Sequence, residues 1–187
     1  MVWEDGRFSG YLREGIAFST SRDGGFTWSA PEQVNQVHTV QAFSPSIAVG
    51  ASGTIAITYY DFRKDTADMN TLLASCWRIV SSDGGTTWRE VPLAGPFNLL
   101  NAALSGVRAP FLGDYHGLVA SHDIFLAFFA VANSGDLAHS SSIFATSTAR
   151  AGDTMSTGRT EINRNPLPYR PSPVREPGRV LPHPQRR

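Results

Sequence analysis

Along most of the chain, apolar and polar residues alternate with a period of two, the pattern of β-strands that bury one face. In residues 15–21, Ile16, Phe18 and Thr20 alternate with smaller side chains. In residues 54–61, Ile55, Ile57 and Tyr59 share a face, following the turn Gly50-Ala51-Ser52-Gly53. Residues 28–34, 46–49, 71–81 and 88–93 read as further strands, so 46–93 forms one complete four-stranded unit. Beyond it, residues 116–121 and 140–148 flank 123–131, whose run Ile124-Phe125-Leu126-Ala127-Phe128-Phe129-Ala130-Val131 is apolar on both faces and needs cover on both. Sheets stacked face to face around an axis give that cover, whereas a lone sandwich wets one side of many strands. No window holds a 3.6-residue apolar period, and residues 95–108, with Leu99, Leu100 and Leu104, offer at most a helical turn or two. The predicted fold class is all-β.

An internal repeat sharpens this picture. Ser21-Arg22-Asp23-Gly24-Gly25-Phe26-Thr27-Trp28 returns as Ser81-Ser82-Asp83-Gly84-Gly85-Thr86-Thr87-Trp88, both fitting Ser-x-Asp-x-Gly-x-Thr-Trp. Each residue type serves a tight connection between antiparallel strands. Asp23 and Asp83 accept from turn N–H groups, Gly25 and Gly85 allow positive φ, and Trp28 and Trp88 lay a ring over the turn. Ser21, Thr27, Ser81 and Thr87 complete the two staples. A calcium loop needs about six or more oxygens, and each box brings one carboxylate, so the expectation is a structural turn with no metal.

The 187 residues carry zero formal net charge, distributed unevenly. Residues 159–187 hold seven arginines against Glu161 and Glu176, a net of +5, together with seven prolines; the first 158 residues balance at −5. Proline at that density denies helices and central strands their donors, so the segment is expected to be disordered. No aromatic platform or lysine run accompanies its arginines, which argues against a nucleic-acid partner. The lone Cys76 excludes an internal disulfide and sits in a strand pattern that favours inert packing. No stretch is apolar enough to span a bilayer, and residues 1–5 lack the features of a signal peptide. His38, His116, His122, His139 and His183 show no zinc spacing, and neither a Gly-x-Ser-x-Gly elbow nor a phosphate-cradling loop appears. No cofactor is implied.

The doubled box resembles the Asp box, or bacterial neuraminidase repeat, of sialidases and related propellers. Residues 43–49, Tyr59-Tyr60-Asp61-Phe62-Arg63 and 111–118 also resemble bacterial exo-sialidase-like proteins. The resemblance spans about residues 15–148 and implies a partial β-propeller, some two and a half four-stranded blades of a six-bladed ring. Its parts are an end blade with a box (1–35), a complete blade with a box (36–94), a connection (95–115), a partial third blade (116–158) and the tail (159–187). The apolar faces of such an arc imply poor solubility or self-association.

Sialidases hold the sugar carboxylate with three arginines, attack with a tyrosine activated by a glutamate, and use an aspartate as acid/base. Guanidinium forks suit a carboxylate. On this resemblance Arg63 and Arg108 are candidates for substrate binding at a top-surface cleft, Tyr115 for the nucleophile position, and Asp61 or Asp114 for carboxylate support. Structural readings compete: Arg63 beside Lys64, Asp65 and Asp68 as a solvated loop, Arg108 as a surface ion pair, Tyr115 as junction packing. The Arg-Ile-Pro signature is absent, and neither a third arginine nor a Tyr/Glu pair can be assigned. Two functions follow: a sialidase-like glycoside hydrolase fragment acting on glycans and inactive by itself, or a non-catalytic Asp-box propeller that binds glycans or proteins. The compartment is open, extracellular or periplasmic if a parent chain carries an export signal.

Overall fold

The computed structural model of the chain describes residues 1–102, 104, 109–113, 116–135, 138–148 and 160–161. Consecutive strands pair as antiparallel neighbours, giving three meanders. The first sheet is β1 (Val2–Asp5), β2 (Gly15–Phe18) and β3 (Glu32–Gln33). The second is β4 (Ala42–Val49), β5 (Ile55–Asp61), β6 (Leu73–Ser81) and β7 (Arg89–Asn98). The third is β8 (Gly117–Ser121), β9 (Ile124–Ala132), β10 (Ser141–Ser147) and β11 (Thr160–Glu161). Helix among the described residues is confined to two 3-10 turns, Gly6–Ser9 and Leu99–Asn101, the second lying inside the stretch expected to turn. The all-β expectation is met.

Boundaries differ from expectation in three places. β4 begins at Ala42, with a bulge between Phe43 and Ser46. β7 continues past Leu93 to Asn98 despite Pro92 and Pro96, because it is the outer strand of its sheet, where proline is tolerated. Of residues 159–187, expected to be disordered, Thr160 and Glu161 instead pair with Ala145 and Phe144. A main-chain ladder makes few demands on side chains, and both residues precede the first proline of that segment; its other residues lie outside those described.

The sheets stack face to face with the second in the middle. Alternation along β5 and β6 sends neighbouring side chains to opposite sides. Ile55, Ile57, Tyr59 and Ile79 meet Ile16, Phe18 and Val34 of the first sheet's side. Ala56, Tyr60, Ala74 and Cys76 meet Leu118, Phe125, Ala127, Phe129 and Val131 of the third sheet. All seven residues of β5 are buried, as a strand between two layers requires. Burying each large apolar side chain contributes about 1.5–3 kcal/mol, so the two junctions hold the stack. Cys76 is free and fully buried, and burial pushes its thiol pKa up, leaving it inert.

Cover on both faces was also expected for β9. Phe125, Ala127, Phe129 and Val131 are covered by the second sheet, but on the other face Ile124 is 39% exposed. Among the described residues no further sheet lies on that face, although Ala130 and Ala132 on it are buried. Tyr60 locks the covered side: its hydroxyl accepts from the Ala130 N–H at 3.0 Å and donates to the Ala130 carbonyl at 2.9 Å. β8 stops at the partner of Phe128, so the phenol satisfies main-chain groups beyond its end.

One end of the stack carries both boxes and two hairpins. Box two opens at Ser81, which pairs with the first residue of β5, and the 50–54 turn lies beside it. That turn meets the β8–β9 hairpin, where Asp123 accepts from the Ser52 N–H at 2.9 Å and its hydroxyl at 2.8 Å. The connections 36–41 and 62–72 lie at the other end.

Candidate functional site

The two boxes are alike in detail. In each, the serine hydroxyl donates to the aspartate and accepts from the second glycine's N–H, at 2.8 and 2.8 Å in box one and 2.7 and 2.8 Å in box two. The aspartate takes the threonine N–H at 2.9 Å and the threonine hydroxyl at 2.6 Å in both. These bonds, those from threonine strongest, hold Asp83 down to about 2 and pull Asp23 below the usual carboxylate range. Trp28 Nε1 donates to the Gly25 carbonyl at 3.0 Å. Both carboxylate oxygens are engaged within the turn. No three potential ligands among His, Cys, Asp and Glu converge among the described residues.

Asp61 and Arg63 are brought together on the side of the second sheet that faces the first. Asp61 is fully buried, with Oδ2 accepting from Arg63 Nε at 2.6 Å and Oδ1 from Trp77 Nε1 at 2.8 Å. The guanidinium of Arg63 lies 3.8 Å over the Trp77 ring and reaches both oxygens of Glu90, Nη2 to Oε1 at 2.9 Å. Nη2 also donates to the Tyr59 hydroxyl at 3.1 Å, and that hydroxyl in turn donates to Glu90. Burial alone lowers the Arg63 pKa, but Glu90 and Asp61 outweigh it and hold the cation protonated. Burial raises the Asp61 carboxyl against the pull of Arg63 and Trp77.

This arrangement bears on chemistry. A tyrosine–glutamate pair, Tyr59 with Glu90, is present where none could be assigned from sequence. A phenol nucleophile is activated by an adjacent base or by a lowered pKa, and it must be open to substrate. Tyr59 has a base beside it in Glu90, but burial and the bond to Glu90 raise its pKa, and the residue is 0% exposed. Arg63 was expected at an open cleft; its side chain is 12% exposed and occupied by two carboxylates and an indole. The cluster pins strands β5, β6 and β7 together.

At the end opposite the boxes lies a cleft of about 350 Å³, lined by Glu4, Gln41, Phe43, Ser44, Phe62, Leu99 and residues 110–113. Phe43 forms its rigid part, stacked between Tyr60 at 5.3 Å and Phe62 at 5.1 Å. Phe111, 40% exposed, faces solvent at its rim. Glu4 Oε1 accepts the Ser44 N–H at 2.8 Å, and Ser44 is held at φ +50° beside the β4 bulge. Such strain in a non-glycine residue is commonly kept at functional positions. Rings flanked by a carboxylate, an amide and a hydroxyl form a small amphipathic pocket.

Tyr115, Asp114 and Arg108 lie outside the described residues, although their neighbours Gly113 and Pro110 border the cleft. Sequence reasoning missed Tyr59, Trp77 and Glu90 as partners of Asp61 and Arg63. Tyr59 and Asp61 stand two apart on one strand and so share a face, a signal available in the alternation; Glu90, reached across β6, carried none. Two further polar groups on the side facing the third sheet, Arg78 Nε and His116 Nδ1, are buried with no hydrogen-bond partner among the described residues. His116 Nε2 meets the Thr58 hydroxyl at 2.7 Å, and burial pushes the ring's pKa down to about 4.

Compared with protein-family models and with curated proteins, the chain matches none. Among the described residues no helix is long and apolar enough to cross a membrane.

Proposed function

We propose that the chain is an arc of a sialidase-like Asp-box β-propeller whose three sheets stand as successive blades, and that by itself it binds a glycan without hydrolysing it. The observation that carries this reading is the placement of the amphipathic cleft at the end of the stack opposite both boxes; in the sialidase-like propellers that the boxes resemble, the boxes lie away from the active face. Face-to-face meanders, each box joining the last two strands of its sheet, support the propeller part. Inactivity is argued from the burial of the cluster: Asp61 and Arg63 are paired with each other, and Tyr59 is closed to any substrate. No guanidinium lines the cleft among the described residues.

Saturation-transfer NMR with neutral and sialylated oligosaccharides tests the binding, and a fluorogenic sialoside tests the chemistry. Transfer to a sugar, reduced in Phe111→Ala, is expected, with no turnover of the sialoside. Hydrolysis that disappears in Tyr115→Phe would overturn the non-catalytic reading, and the absence of transfer to any sugar would overturn glycan binding.

A further inference from the structure

We infer that the amphipathic cleft selects an uncharged pyranose and turns away a sialic acid, because the carboxylate of Glu4 is built into its wall. This rests on the glycan-binding reading above and names the class of sugar that the cleft takes. Three polar side chains, those of Glu4, Gln41 and Ser44, line it among the described residues, and main-chain bonds fix how two of them are presented. Glu4 is exposed, and its Oε1 accepts the Ser44 N–H at 2.8 Å. That bond ties the carboxylate of β1 to the start of β4 and leaves Oε2 open to a ligand. Gln41 Oε1 accepts the Glu14 N–H at 2.7 Å. A main-chain N–H can only donate, so this bond decides which end of the Gln41 amide is oxygen and leaves the NH2 end as a donor. The Ser44 hydroxyl beside them can donate or accept.

A ring of hydroxyls suits this set. Each sugar hydroxyl both donates and accepts, so one edge of a pyranose can give to Glu4 Oε2 and take from the Gln41 amide. Its C–H groups then meet the apolar surface of Phe62 and of Phe111, the latter 40% exposed at the rim. A sialic acid brings a carboxylate instead, a group that only accepts and that the Glu4 carboxylate repels. No cationic side chain lines the cleft among the described residues to offset that repulsion. Arg63 cannot supply the missing charge, because Asp61 and Glu90 already engage it. Discrimination of this kind comes from an unfavourable contact with the wrong ligand as much as from a good fit to the right one.

Titration of the full chain with a panel of neutral methyl hexosides and with the methyl glycoside of sialic acid, read by saturation-transfer NMR, tests this. At low salt at least one hexoside should bind about tenfold more tightly than the sialoside. Glu4→Gln keeps an oxygen for the Ser44 N–H and removes the charge, so it should bring the two affinities within about threefold of each other. If far-UV circular dichroism shows that this variant misfolds, the unmodified chain in about 0.5 M salt takes its place, where screening of Glu4 should narrow the gap in the same direction. A sialoside bound as tightly as the best hexoside overturns the inference, and so does a preference that loss or screening of the Glu4 charge leaves unchanged. In both of those cases glycan binding itself stands. Transfer to neither class of sugar overturns the glycan reading and this inference with it.

Discussion

At the residue scale, the buried polar groups make the sharpest claims. His116 has an ordinary pKa of 6.5 and is pushed to about 4, chiefly by burial. The folded state therefore disfavours its proton: its contribution is complete above pH 6.5 and is lost as the pH falls from there toward 4. The loss amounts to about 3 kcal/mol. Urea denaturation at pH 7 and pH 4 should show it, and His116→Phe should flatten this window while leaving the steeper carboxylate losses below pH 4. An unchanged slope in that variant would assign the pH dependence elsewhere. Arg63→Met tests the opposite case, a cation removed from between two carboxylates. Asp61, fully buried, would keep only the Trp77 N–H and the backbone N–H of residue 63. Stranding a buried charge of this kind costs about 3–5 kcal/mol, readable as a fall in the urea midpoint at neutral pH. A change under about 1 kcal/mol would mean that water replaces the guanidinium, as for an exposed pair.

At the element scale, the box is one device in two settings. Both second glycines hold positive φ, so Gly25→Ala and Gly85→Ala share a backbone strain of order 1–3 kcal/mol. Only at Gly85 does the new methyl run into a ring, at 2.5 Å from Phe18. Overpacking there adds about 1–3 kcal/mol, so thermal denaturation should rank Gly85→Ala clearly below Gly25→Ala. Equal losses would show that the Phe18 contact yields freely. The box itself was legible in the sequence, because aspartate, glycine and tryptophan at fixed offsets state local demands that need no partner. Its different settings were not, since Phe18 lies more than sixty residues from Gly85 and no local pattern links them. The same holds for the Asp61 cluster. The alternation that made β5 readable put Tyr59, Asp61 and Ile57 on one face, but only the register across β6 brings Glu90 to them. The extent of β7 was hidden for a related reason: its prolines are tolerated by an outer position, which the strand's own residues do not announce.

For the whole molecule, the order of the layers implies an order of stability. The second sheet is covered on both faces and β5 is buried throughout, whereas among the described residues the first and third sheets each pack against one neighbouring sheet. In a stack whose layers touch only their neighbours, opening starts at the ends and the middle is last. Amide hydrogen exchange under native conditions should find the slowest protons in Ile57, Thr58 and Tyr59, near the global unfolding limit, and faster exchange in β3 and β8. The two junctions are chemically distinct, one centred on Phe18 and box two, the other on Tyr60 and its bonds to Ala130, so each can be weakened alone. Phe18→Ala removes a ring from the first junction and should accelerate exchange in β1, β2 and β3 while leaving β9 near its original rate. Tyr60→Phe should do the reverse, with Ala130 the first amide to respond because it loses its acceptor. Uniform acceleration across all three sheets in either variant would show that the layers open as one cooperative unit, and that coupling through β5 exceeds the strength of either junction.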